Sequence, residues 1–118
     1  MPARNGKGNG RRRKTPTEVY VPCNVEPGMF RGEYLVTFEA VDSQTQNKKL
    51  SVRLLADERD VIIRFGTPER GNPAEGLLRV EILKRANGLA LLVLPQPAQP
   101  VGERAYVEES LLQEEAVG

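Results

Sequence analysis

Apolar and polar side chains alternate along much of the chain after Thr17. Tyr34, Val36, Phe38 and Ala40 fall on one face of residues 33–41, with Glu33, Thr37 and Glu39 on the other and Leu35 as the exception. This period of two predicts a half-buried strand, because successive side chains of a strand point to opposite faces. The pattern returns with Leu50, Val52, Leu54 and Ala56 inward and Lys49, Ser51 and Arg53 outward. The polar stretch 42–47 lies between the two runs, so they read as an antiparallel hairpin with a longer loop.

Shorter runs flank this hairpin. Val19 and Val21 alternate with Tyr20 until Pro22, which stops the strand or confines it to an edge. Pro27-Gly28 marks a turn. After a charged turn at 57–60, Val61, Ile63 and Phe65 predict a third strand in meander order, with all three side chains on one face. Residues 66–76 (GTPERGNPAEG) read as a long loop. Leu78, Val80 and Ile82 then alternate with Arg79 and Glu81. Asn87-Gly88 stands between two apolar runs, the strongest short hairpin signal, because both residues tolerate positive φ.

The run Leu89 to Leu94 is apolar at every position, which predicts a strand covered on both faces or lying at a subunit interface. Pro95, Pro97 and Pro100 read as a stiff connector, and residues 104–108 as a last strand with Ala105 and Val107 on one face. Ser110 to Gln113 has the spacing of a capping box before a short helix within an acidic tail over 110–118, although so short a helix is marginal by itself. The expectation is an all-β domain over residues 18–109, with six or seven short strands in a small antiparallel barrel or compact sandwich.

Composition narrows the chemistry. The chain of 118 residues has no histidine, no tryptophan and one cysteine, Cys23. The commonest general base near neutral pH is missing, and with it every Ser–His–Asp or Cys–His arrangement within the chain. One thiol makes no internal disulfide, and a zinc site lacks its usual ligands. The expectation is a protein that is not an enzyme and uses no metal or cofactor. The longest apolar run falls far short of a membrane span, and the basic N-terminus is not followed by the apolar stretch of a secretory signal, so the expected location is cytoplasmic.

The net charge of +1 hides an asymmetry. Arg4, Lys7, Arg11, Arg12, Arg13 and Lys14 lie within residues 1–17, which hold no acid, so 11 basic residues remain against all 16 acids and the body carries about −5. The arm is rich in Gly and Asn and has almost nothing apolar to bury, so disorder is expected there. Clustered cations on a flexible arm attract phosphates without reading sequence.

Several other features are candidate sites. Cys23 has no histidine to activate it and reads as a structural thiol. Glu33 and Glu39 share the wet face of a strand and read as solvated charges. The amides of loop 66–76 could cradle an anion with Arg70, but the loop lacks the Gly-Lys-Ser or Gly-Lys-Thr ending of a phosphate loop, and a surface loop is the preferred reading. Residues 26–34 (EPGMFRGEY) run turn, aromatic, Arg-Gly, strand. They resemble the opening of KOW-type modules in small SH3-like barrels, which bind RNA or partner proteins. The resemblance covers nine residues and lacks the later Gly-x-Val, so it assigns no family. If Phe30 is exposed beside Arg31, stacking on a base becomes available to it.

Together these features read as a non-catalytic binding module that contacts nucleic acid through the basic arm, with Phe30 and Arg31 as candidates on the body. The alternative is a structural or accessory subunit that binds another protein or a second copy of itself through the apolar strand 89–94.

Overall fold

The computed structural model describes residues 18–42, 44–45 and 48–114. The basic arm, with Arg4, Lys7, Arg11, Arg12, Arg13 and Lys14, lies outside the described residues, as do residues 115–118. The strands are β1 (Glu18–Pro27), β2 (Glu33–Val41), β3 (Lys49–Asp57), β4 (Val61–Phe65), β5 (Ala74–Ala86), β6 (Leu89–Ala98) and β7 (Gly102–Glu108). Their pairings are all antiparallel. Five close into a barrel in the order β1-β2-β7-β6-β5 and back to β1, while β3 lies along β2 and β4 along β5. Of the two architectures the pattern allows, the chain adopts the barrel.

The inward faces are those the alternation predicts. Val36, Phe38 and Ala40 of β2, Val52, Leu54 and Ala56 of β3, Leu78, Val80 and Ile82 of β5, and Ala105 and Val107 of β7 are buried in one cluster. Its material is almost wholly aliphatic, so the fold rests on the burial of many branched side chains of modest size, each contributing about 1.5–3 kcal/mol. The β2–β3 hairpin has the expected register, with Val36 opposite Leu54 and Phe38 opposite Val52. Asn87 and Gly88 form the β5–β6 turn with φ of 56° and 79°, and Ala86 faces Leu89 across it.

Pro22 does not end β1, which continues to Pro27 and buries Cys23 and Val25. Tyr20 exchanges backbone hydrogen bonds with Gln113 on the side away from β5, at 2.8 and 2.9 Å. The nitrogen of Pro22, two residues on, points to that same side, and β2 joins β1 there only from Asn24 onward. Proline thus occupies a stretch where the strand has a neighbour on one side only, and no ladder bond is lost.

Four further expectations change. β4 does not continue a meander: it pairs with β5, and on the far edge of β3 Arg53 exchanges two hydrogen bonds of 2.9 Å with Gln99. A 3-10 turn, Glu58–Asp60, carries the chain across, with the Asp57 side chain accepting from Arg59 N–H at its start. The loop after β4 is shorter than predicted, because Ala74, Glu75 and Gly76 already belong to β5. Strand β6 runs through Pro95 and Pro97 to Ala98, its register with β7 shifting between Val93 and Ala98, where a strand accommodates prolines that cannot donate. The segment 110–113 forms no α-helix. It makes one 3-10 turn, Glu109–Leu111, without a side-chain cap, after which Leu112 packs on the core and Gln113 joins β1. A pairing partner for the backbone outweighs a helix too short to propagate.

Candidate functional site

The turn between β1 and β2 is built to hold apolar side chains in water. Gly28 N–H donates to Glu33 C=O at 3.0 Å. The Glu33 carboxylate reaches back over the turn and accepts from both Met29 N–H and Phe30 N–H at 3.1 Å through Oε1. Gly32 C=O accepts from Glu58 N–H at 2.9 Å, bracing the turn against the 3-10 segment. With the backbone tied at three places, Met29 and Phe30 stand 78% and 72% exposed. Arg31 is exposed beside them and enters no ion pair among the described residues. Glu33 is therefore more than a solvated strand charge: it satisfies two turn amides that would otherwise need water. The signal for this in the sequence is a carboxylate three residues after Phe30 and five after Gly28.

A second exposed aromatic departs from the pattern. The alternation places Phe65 inward with Val61 and Ile63, yet it is 63% exposed. The β4–β5 register shifts between Ile63 and Phe65, and a bulge of this kind turns the following side chain out of the alternation. The Arg64 guanidinium lies 5.7 Å from the Phe65 ring centre, within cation–π range. Phe65 faces Glu75, and the next residue of β5 in the direction of the loop, Ala74, faces Val25 near the end of β1. Both phenylalanines consequently lie toward one end of the barrel, each next to an arginine in the chain. Arg64 and Phe65 border a shallow groove that runs past Glu75, Asn24 and Thr37 to Glu39.

The loop over 66–73 is not an empty anion cradle. Gly71 N–H donates to the Glu26 carboxylate at 3.2 Å, and Asn72 folds back on Glu69 through backbone and side chain. An amide that an acceptor of the same chain already satisfies is not waiting for a phosphate. Glu39 is exposed and shares Lys49 with Glu108, each pair at 3.6 Å. These exposed pairs add little stability.

Among the described residues Asp60 is the one buried charged side chain. It accepts from the Arg79 guanidinium, which also approaches Glu18 at 3.4 Å. The hydrogen bond to Asp60 is the main cause that raises the Arg79 pKa above its ordinary value. The pair pins the 3-10 turn to β5 and leaves no free acid there. Among the described residues no three His, Cys, Asp or Glu side chains converge as a metal site requires, and no helix is long and apolar enough to cross a membrane.

Cys23 faces the core, and burial pushes its thiol from 9.0 up to about 12. Desolvation disfavours the thiolate, the form that reacts. At pH 8 the folded protein is expected to react with a disulfide reagent at least about a hundredfold more slowly than the urea-unfolded chain, measured by thionitrobenzoate release. The linkage has a definite sign. A raised folded pKa means that the unfolded state loses its proton first, so the thiol's contribution to stability is intact below pH 9 and falls between pH 9 and about 12. Replacing Cys23 with alanine should flatten that part of the urea-midpoint profile.

Neither protein-family models, nor curated proteins, nor solved structures yield a match to this chain. Of the sequence-derived candidates, Phe30 and Arg31 come together at the braced turn, and the six arm cations lie outside the described residues. Arg64 and Phe65 are the additions.

Proposed function

We propose that this protein is a non-catalytic binding module of the cytoplasm that engages single-stranded nucleic acid. The basic arm supplies phosphate contact, and the braced turn supplies a stacking surface for a base. The observation that carries this reading is Phe30, 72% exposed on a turn whose amides are tied down by Glu33, beside an unpaired Arg31. A braced backbone leaves only side-chain rotation to be ordered on stacking, and an exposed phenylalanine offers every base a π-face. Phe65 beside Arg64 supports a second stacking position toward the same end. The acids nearby, Glu39 and Glu75, repel phosphates. In this reading bases meet the barrel while the backbone of the nucleic acid follows the arm.

The test is binding of fluorescent single-stranded and duplex oligonucleotides over a salt series. It compares the full chain, a chain lacking residues 1–17, and Phe30→Ala. Single strands are expected to bind more tightly than duplex. Loss of the arm should flatten the salt dependence by about 0.7 log units of affinity per log unit of salt for each phosphate contact removed. Phe30→Ala should weaken the complex by about 1–3 kcal/mol with the salt slope unchanged. Absence of binding by the full chain at low ionic strength rejects the proposal. Binding that survives both changes moves the contact elsewhere on the body.

A further inference from the structure

A second surface, separate from the braced turn, lies on the outer side of the β5-β6-β7 wall. Strand β6 turns Ala90, Leu92 and Leu94 into the core, so Leu91 and Val93 point outward, and both remain half-buried. A strand with water on its outer face usually alternates with polar residues, whereas this one does not. Leu91 stands opposite Tyr106 of β7 and Lys84 of β5. Val93 stands opposite Arg104 and Glu81.

The rows are charge-asymmetric across the strands. Glu81 lies on the β5 side of Val93 and Arg104 on its β7 side, about 10 Å apart at ordinary strand spacing, too far to pair with each other. Among the described residues neither of them, nor Lys84, takes part in an ion pair.

We infer that this face docks on the same face of a second copy of the chain, about a two-fold axis parallel to β6. That axis exchanges the β5 and β7 sides at constant height along the strands. Each Glu81 then faces Arg104 of the other copy, and each Lys84 faces the other copy's Tyr106 ring, a cation over an aromatic face. The outward Leu91 and Val93 rows meet in the middle, as in sheet-on-sheet packing. The Glu81–Arg104 pair and the Lys84–Tyr106 contact each arise twice by symmetry, as an isologous interface requires. The alternative axis, perpendicular to the strands and centred between the two rows, sets Glu81 against Lys84 and Arg104 against Tyr106, so the two orientations differ in which cation meets Glu81. Charge complementarity therefore argues for a second copy as the occupant, and the mixture of exchanged-charge variants below separates the parallel axis, under which Glu81 meets Arg104, from the perpendicular one.

Sedimentation velocity of the full chain over a concentration series tests the inference. A monomer–dimer equilibrium is expected. Glu81→Arg and Arg104→Glu should each weaken dimerisation at least about tenfold, because each places like charges across the interface. An equimolar mixture of the two variants should restore a dimer. In the mixed pair the introduced arginine of one chain faces the introduced glutamate of the other, and the remaining native Glu81 faces the remaining native Arg104. Circular dichroism of each variant checks that the fold is kept. A chain that stays monomeric at every concentration overturns the inference, and so does a dimer that both single variants leave intact. The result is independent of nucleic-acid binding, which is measured on the other surface.

Discussion

Replacing Gly76 with alanine is expected to destabilise the barrel by about 3 kcal/mol, at the upper end for inserting a methyl into filled space. In a domain of this size that lowers Tm by about 15 °C. The reason is local and geometric. A Cβ on Gly76 would lie 2.6 Å from the backbone oxygen of Ile62 and 3.0 Å from a methyl of Val25. Backbone on one side and core on the other leave it nowhere to go. Gly76 sits where β5 is paired on both edges, to Cys23 of β1 and Ile63 of β4, so relief requires one of two ladders to shift. Urea unfolding followed by circular dichroism measures the loss. Gly102→Ala is the control. A Cβ there meets nothing within 4 Å, and the penalty comes only from φ of 78°. It should lose about 1 kcal/mol. If Gly76→Ala is as mild as the control, β4 does not lie along β5 in this register.

The second large effect concerns the facing of β6. Leu92→Ala is expected to remove about 2–5 kcal/mol, since Leu92 is fully buried and its loss leaves a cavity in the core. Leu91→Ala, one residue away and half-buried on the outer face, should remove well under half as much from the monomer. Urea unfolding of both at low protein concentration, where self-association is negligible, gives the comparison. Equal losses would mean that β6 is covered on both faces within one chain, and the outer wall would then be unable to receive a second copy.

Some of the candidate surface is legible in the residues themselves. Pro27-Gly28 announces the turn, and Phe30-Arg31 follows it with no apolar neighbour in alternation to draw the ring inward. What cannot be read is that Glu33 ties the turn from within, because the same carboxylate at the start of a strand looks like any solvated charge. Phe65 is misleading for a related reason. Its alternation with Val61 and Ile63 is perfect, and the bulge that turns it outward is a property of how β4 meets β5.

The chain's own pattern determined where the strands lie, apart from the later parts of β1 and β6 and the start of β5, which way β2, β3, β5 and β7 face, and where the Asn87-Gly88 hairpin turns. Burial supplies the reason: a residue's polarity records the side of the sheet it will occupy, and a turn needs particular backbone torsions from particular residues. Tertiary structure alone decided that β4 pairs with β5, that Gln99 takes the edge of β3, that Pro22 falls where β1 lacks one neighbour, and that Gln113 joins β1 in place of a helix. Those choices are made by backbone N–H and C=O groups, which are the same in nearly every residue and so leave little trace in the order of side chains.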